Sequence, residues 1–167
     1  MQILKSCLFA AILMVPLAVK AQDCPLIKET DPYTKEIKIS TGFIQLQGAS
    51  LAIDATRPEI DFLFSINGAN VCLDNNSTAN VFFENTKVKV TFRNAGSMNC
   101  EGLFHFIFRN TASTNSQLQK LVTQKITSIK FIGNNKQEKT ITLTPEQQKS
   151  VMDLGTCLIN EAKTLIK

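Results

Sequence analysis

From Lys35 to Phe108, apolar residues recur at every second position with turn-forming residues between the runs. A period of two over so long a stretch confines the chain to sheet structure built largely from antiparallel strands. The clearest run is Ile60-Asp61-Phe62-Leu63-Phe64-Ser65-Ile66. Ile60, Phe62, Phe64 and Ile66 share one face and Asp61 and Ser65 the other, so a strand packed on one side is expected, with Asn67-Gly68 as its stop. Asn80 to Phe83 and Lys87 to Arg93 flank Glu84-Asn85-Thr86 as a hairpin, with Val88, Val90 and Phe92 inward and Lys87, Lys89 and Arg93 in water. Lys35 to Ser40, Phe43 to Gln47 and Leu51 to Ala55 read as three further strands. Gly102 to Phe108 is apolar on both alternating faces, which predicts a central strand or one covered by a helix.

After Arg109 the pattern changes. Polar residues from Asn110 to Gln117 lead into a short helix at Leu118 to Val122, with Thr114 and Gln117 as its capping box. Ile126 to Ile132 and Lys139 to Leu143 form a second hairpin around Gly133-Asn134-Asn135-Lys136. Thr144-Pro145-Glu146-Gln147 then combines an N-cap threonine, a proline at the first helical position and a glutamine three residues after the cap. The helix that begins at Pro145 carries Val151, Leu154, Leu158, Ala162 and Leu165 as one apolar stripe, and Gly155 within it suits a close approach to the sheet. The expected fold is α+β: a mostly antiparallel sheet of about seven to nine strands, open or curled as a half-barrel, packed by a C-terminal helix, with one short helix before the last hairpin. No repeat or linker marks a second domain, so residues 22–167 read as one unit.

Met1 to Ala21 reads as a secretory leader: Lys5 in a positive n-region, an apolar run from Cys7 to Val19, and Val19-Lys20-Ala21 at the cleavage site. The uncharged stretch from Ser6 to Val19 is shorter than the roughly 20 residues that cross a bilayer, so no stable membrane span is expected after cleavage. The chain has 18 basic and 14 acidic side chains, a formal charge of +4, and loss of Lys5 and Lys20 with the leader lowers it to +2. The remaining basic residues are scattered singly, which argues against a nucleic-acid partner. Cys24, Cys72, Cys100 and Cys157 remain, an even set in a secreted or periplasmic domain, and favour two disulfides. Sequence permits three pairings. The favoured one joins Cys72 to Cys100 around the first hairpin and Cys24 to Cys157, tying the chain's start to the last helix.

Residues that carry chemistry are few. His105 is the single histidine, and between Leu103 and Ile107 on one strand face it reads as a structural residue rather than a general base. Glu59 and Asp61 share a strand face and are the candidate carboxylate pair of a hydrolase. Asp54, Asp74, Glu84 and Glu101 sit at strand ends or turns, where acids are common. Cys-x-x-Cys spacing, phosphate loops, dinucleotide fingerprints and serine-nucleophile elbows are missing, so no catalytic residue, metal ligand or cofactor is assigned. Eleven phenylalanines, one tyrosine and no tryptophan point to a large core rather than an aromatic binding surface.

The leader with its Ala21-Gln22 junction, the hairpin from Val81 to Val90, the Asn99-Cys100-Glu101-Gly102 step and the cysteine-bearing last helix together resemble small exported bacterial proteins of uncharacterised function. The resemblance implies a location and a fold; it brings no site residue with it. The expected function is therefore that of an exported, non-enzymatic domain that binds a protein or other ligand in the periplasm or outside the cell. The alternatives are a small secreted hydrolase using a carboxylate pair, and an inhibitor of a foreign enzyme with the loop Asn110 to Ser116 as its inserting segment. Lys38, Asp61, Lys89 and Arg93, on the sheet face opposite the helix, read as simply solvated side chains or, as the alternative, an exposed working face.

Overall fold

The computed structural model describes residues 24–68 and 71–166. The expected leader lies outside these residues. Among the described residues nine strands divide between two antiparallel sheets. The first sheet is built from β1 (Ile27–Thr30), β2 (Ile37–Leu46), β3 (Ala49–Ala55), β4 (Glu59–Ile66) and β7 (Leu103–Arg109), in the order β1-β2-β3-β4-β7. The second contains β5 (Thr78–Phe83), β6 (Lys89–Arg93), β8 (Ile126–Ile132) and β9 (Glu138–Thr142), in the order β6-β5-β8-β9. Helices α1 (Ser116–Thr123) and α2 (Pro145–Ala162) complete the fold, and a single 3-10 turn follows α2 at Lys163–Ile166. The α+β class, the antiparallel pairing and the C-terminal helix agree with the expectation; the described strands form two sheets and close no barrel.

Alternation in β4 places Ile60, Phe62, Phe64 and Ile66 in the core, where Phe104, Phe106 and Phe108 of β7 join them. The second sheet lays Phe92 and Phe131 against the same face: Phe92 stacks on Phe106 with ring centroids 4.5 Å apart, and Phe131 meets Phe64 at 5.5 Å and Phe104 at 5.2 Å. These edge and offset contacts lock two sheets into one core. Helix α2 covers the remainder of that face over β2 and β3 and buries Val151, Leu158 and Ala162, while Leu154 and Leu165 are half-buried against the core. The Thr144 hydroxyl accepts from the Gln147 amide and the Gln147 side chain accepts from the Thr144 amide, closing the expected capping box. Disulfides join Cys24 to Cys157 and Cys72 to Cys100, linking the start of the described chain to α2 and the β4–β5 connection to the β6–β7 connection.

The differences from the sequence reading are local and have physical causes. The runs at Lys35 to Ser40 and Phe43 to Gln47 are one strand, β2, whose register slips between Ser40 and Phe43. Gly42 takes a positive φ of 65° there, and the slip moves the inward positions from Ile39 to Ile44 and Leu46, leaving Phe43 exposed. Val88, expected inward, is exposed because the strand begins only at Lys89 and Val88 closes the turn, its amide donating to the Thr86 hydroxyl. The N-cap of α1 is Asn115 rather than Thr114, its side chain accepting from the amides of Gln117 and Leu118. Strand β7, expected to be central or covered by a helix, is the edge of the first sheet, with Leu103 and His105 half-buried and Ile107 exposed on its outer face.

Gly155 faces α1 more closely than the sheet. A Cβ there would stand 2.6 Å from Val122 Cγ1 and 3.5 Å from Ile53 Cδ1. Gly155→Ala gains about 1 kcal/mol of helix propensity, yet forcing the helices apart costs roughly 1 to 3 kcal/mol. The expected net loss is about 1 kcal/mol in urea unfolding, and Val122→Ala in the same chain should make the added methyl favourable. An alanine at 155 that stabilises the otherwise unaltered protein contradicts this packing.

Candidate functional site

The outer face of the first sheet gathers the acids that the sequence reading selected. Asp54 on β3 stands directly opposite Asp61 on β4, and His105 on β7 stands opposite Leu63, one pleat along the same face. Asp61 Oδ2 lies 2.7 Å from His105 Nδ1, and Asp54 Oδ2 lies 2.7 Å from Lys38 Nζ on β2. The result is a row of two adjacent aspartates flanked by two basic groups across four strands: Lys38, Asp54, Asp61, His105. The second carboxylate oxygen of each aspartate is buried without a hydrogen-bond partner. Opposed like charges on neighbouring strands repel, so the Lys38 ammonium at one end of the row and the His105 imidazole hydrogen-bonded at the other offset a cost that the two aspartates create together.

Glu59 and Asp61 share a strand face as alternation requires, but Asp61 is bound to His105 and its nearest carboxylate in register is Asp54; Glu59 is exposed opposite Arg109. Of the other acids, Asp74 holds a turn by accepting from the amides of Asn76 and Ser77, Glu84 pairs with Lys125 at 3.1 Å, and Glu101 is exposed. Among the described residues no group of three histidine, cysteine, aspartate or glutamate side chains is placed to hold a metal ion. No described helix is long and apolar enough to cross a membrane. The candidate working face separates, because Lys38 and Asp61 lie on the first sheet and Lys89 and Arg93 on the second.

The hydrogen bond to Asp61 raises the His105 pKa above its ordinary value against the opposing effect of partial burial, with smaller contributions from the charges of Asp61 and Glu59. A raised folded-state pKa stabilises the protein fully below the unfolded value of about 6.5, and the contribution fades as pH rises through the folded value. Unfolding free energy should therefore fall across that window, and Asp61→Asn should remove this part of the slope and lower the imidazole pKa in an NMR titration. An unchanged His105 titration in Asp61→Asn would contradict the pairing.

A cleft of about 510 Å³ opens where the two sheets splay apart. Its sides are Thr91, Phe92 and Arg93 of β6 and Phe106 to Arg109 of β7; Thr111, Ser113, Asn115 and Gln117 form one end. Ala95 lies at the vertex, where its amide donates to the His105 carbonyl at 3.1 Å. Beside it, buried Asn94 replaces the strand ladder with its side chain. Asn94 Oδ1 accepts from the amides of His105 at 2.9 Å and Gly96 at 3.2 Å, and Nδ2 donates to the carbonyls of Asp74 at 3.1 Å and Gly96 at 3.4 Å. Beyond this wedge β6 and β7 are each bonded to one neighbour, β5 and β4, so their other edges face each other across the gap.

The cleft has a basic character. Among the described residues no aspartate or glutamate lines it, and neither Arg93 nor Arg109 has a carboxylate within ion-pair distance. Its polar end is firmly based: buried Asn110 donates through Nδ2 to the carbonyls of Thr56 at 3.0 Å and Ala162 at 2.9 Å, anchoring the start of the loop from Asn110 to Ser116. Sequence reading found Arg93 and that loop but had no means of joining them with Arg109, because the meeting depends on which strands become sheet edges. No protein-family model, curated protein or solved structure matches the chain.

Proposed function

We propose that this chain is an exported, non-enzymatic domain that acts by binding, and that it binds at the cleft between β6 and β7. The observation that carries the reading is the pairing of two arginines, neither within ion-pair distance of a described carboxylate, with an open gap between two edges that no described strand pairs. Guanidinium groups left without a counter-ion at a concave surface are available to an anionic ligand, to which they can present paired donors. The two disulfides fit an oxidising compartment such as the periplasm or the exterior. The Asp61–His105 pair has a structural use in this reading. The Gly96 backbone lies so near the imidazole that a Cβ there would be 2.6 Å from Cδ2, so the ring supports the loop that shapes the vertex.

Affinity capture tests the proposal. Oxidised protein is immobilised and exposed to cell-envelope and secreted extracts, beside a copy with Arg93→Glu and Arg109→Glu and a reduced, alkylated copy. A saturable ligand retained by the first and lost from the charge-reversed copy supports binding at the cleft. Equal retention by both oxidised forms would place binding elsewhere on the molecule.

A further inference from the structure

We infer that the ligand of this cleft is an extended acidic peptide segment of another protein, added as a strand along the free edge of β7; the inference rests on the cleft being the binding site. Backbone direction carries it. His105 turns both its amide and its carbonyl away from β4, toward Asn94 and Ala95, whereas the Asn110 amide turns back to the Pro58 carbonyl on the β4 side. Strand alternation then directs the amides and carbonyls of Ile107 and Arg109 into the cleft. Such a row of outward donors and acceptors is a template for one more strand.

Charge selects which strand. A segment lying on this edge passes Arg109 on one lip and Arg93 on the other, with no described carboxylate lining the gap to repel acidic side chains. Its apolar residues, alternating with the acids, would rest on the floor formed by Phe92, Phe106 and Phe108. Asn94 keeps β6 from closing onto β7, so the edge is already open before a ligand arrives and little reorganisation accompanies binding. An anion alone would use the arginines and leave the backbone groups idle; a neutral strand would do the reverse.

The test uses the purified, disulfide-intact protein and a fluorescent peptide of alternating glutamate and valine, followed by anisotropy, with a lysine-valine peptide and a sulfated oligosaccharide as the other probes. The acidic peptide should bind saturably and more weakly as salt rises, and the lysine peptide should not bind. Arg93→Ala and Arg109→Ala, both at exposed positions, should each weaken binding about tenfold. In the complex the amides of Ile107 and Arg109 should gain protection from hydrogen exchange, and Ile107→Pro, which removes one of those donors, should weaken binding without loss of the folded circular dichroism signal. Arginine-dependent binding of the oligosaccharide without binding of the acidic peptide would overturn the peptide assignment and leave the cleft as a binding site. Failure of every probe would overturn both, and acidic-peptide binding with unchanged Ile107 and Arg109 amides would overturn strand addition.

Discussion

Phe106→Ala is expected to destabilise the protein by about 4 kcal/mol, the middle of the range for a fully buried phenylalanine. Phe106 is 1% exposed and sits where the two sheets meet, with ring centroids 4.5 Å from Phe92 of the second sheet and 5.0 Å and 5.3 Å from Phe64 and Phe104 of the first. Truncation removes the buried apolar surface and leaves a void bounded by three rings that belong to two different layers. Neighbouring backbone cannot collapse into it easily, because β7 is held to β4 along its whole length. For a domain of this size the loss corresponds to a fall in melting temperature of roughly 10 °C. Ile107→Ala, one residue along and on the outer face at 40% exposure, is the control and should cost less than about 1 kcal/mol. Comparable losses for the two variants in urea unfolding would mean that β7 is not packed on one side as described.

That contrast between Phe106 and Ile107 also marks how far the sequence could be read. Alternation placed Phe62, Phe64, Val90 and Phe92 on the correct side of their strands because parity is a property of each strand alone. It could not rank β7, since apolar residues on both faces arise equally in a central strand and in an edge strand whose outer face carries a paired histidine. β1 escaped notice for the opposite reason: all four of its residues are exposed, so no burial pattern betrays it, and only pairing with β2 makes it a strand. Helix α2 was legible to its first residue because capping is local chemistry, written within four consecutive positions.

The site was legible only in pieces. Asp54, Asp61 and His105 are each visible in the sequence as single residues, but their coupling depends on register: Asp54 opposite Asp61, and His105 one pleat from it. The same holds for Arg93 and Arg109, 16 positions apart in the numbering and assigned to different sheets. The cleft they flank exists because the chain does not close β6 and β7 into a hairpin, and nothing in the apolar period forbids that closure. The decision is made by a polar side chain in the connection between them.

Asn94 is that side chain, and Asn94→Ala is expected to cost about 3 kcal/mol. The residue is 3% exposed and makes four hydrogen bonds, to the amides of His105 and Gly96 and to the carbonyls of Asp74 and Gly96. Removing it leaves half-buried groups on three backbone segments without a partner, at most roughly 1 to 3 kcal/mol each, less whatever water entering the vacated space restores. Asn94→Leu retains the volume and none of the hydrogen bonds, so it should fall near the alanine variant rather than near the parent; a leucine that rescues stability would show that Asn94 acts by filling space. Hydrogen exchange separates a local from a global effect. If the side chain is the wedge, the His105 amide should exchange faster in both variants while the amides of β4 opposite β7 keep their protection relative to global unfolding. The same loss should reach the cleft, because a vertex without its amide wedge no longer fixes the angle between β6 and β7. Weaker binding of the acidic peptide in Asn94→Ala, with Arg93 and Arg109 untouched, would then measure how much of the affinity comes from holding the two edges apart, and unaltered binding would show that the arginines and the β7 edge suffice without the wedge.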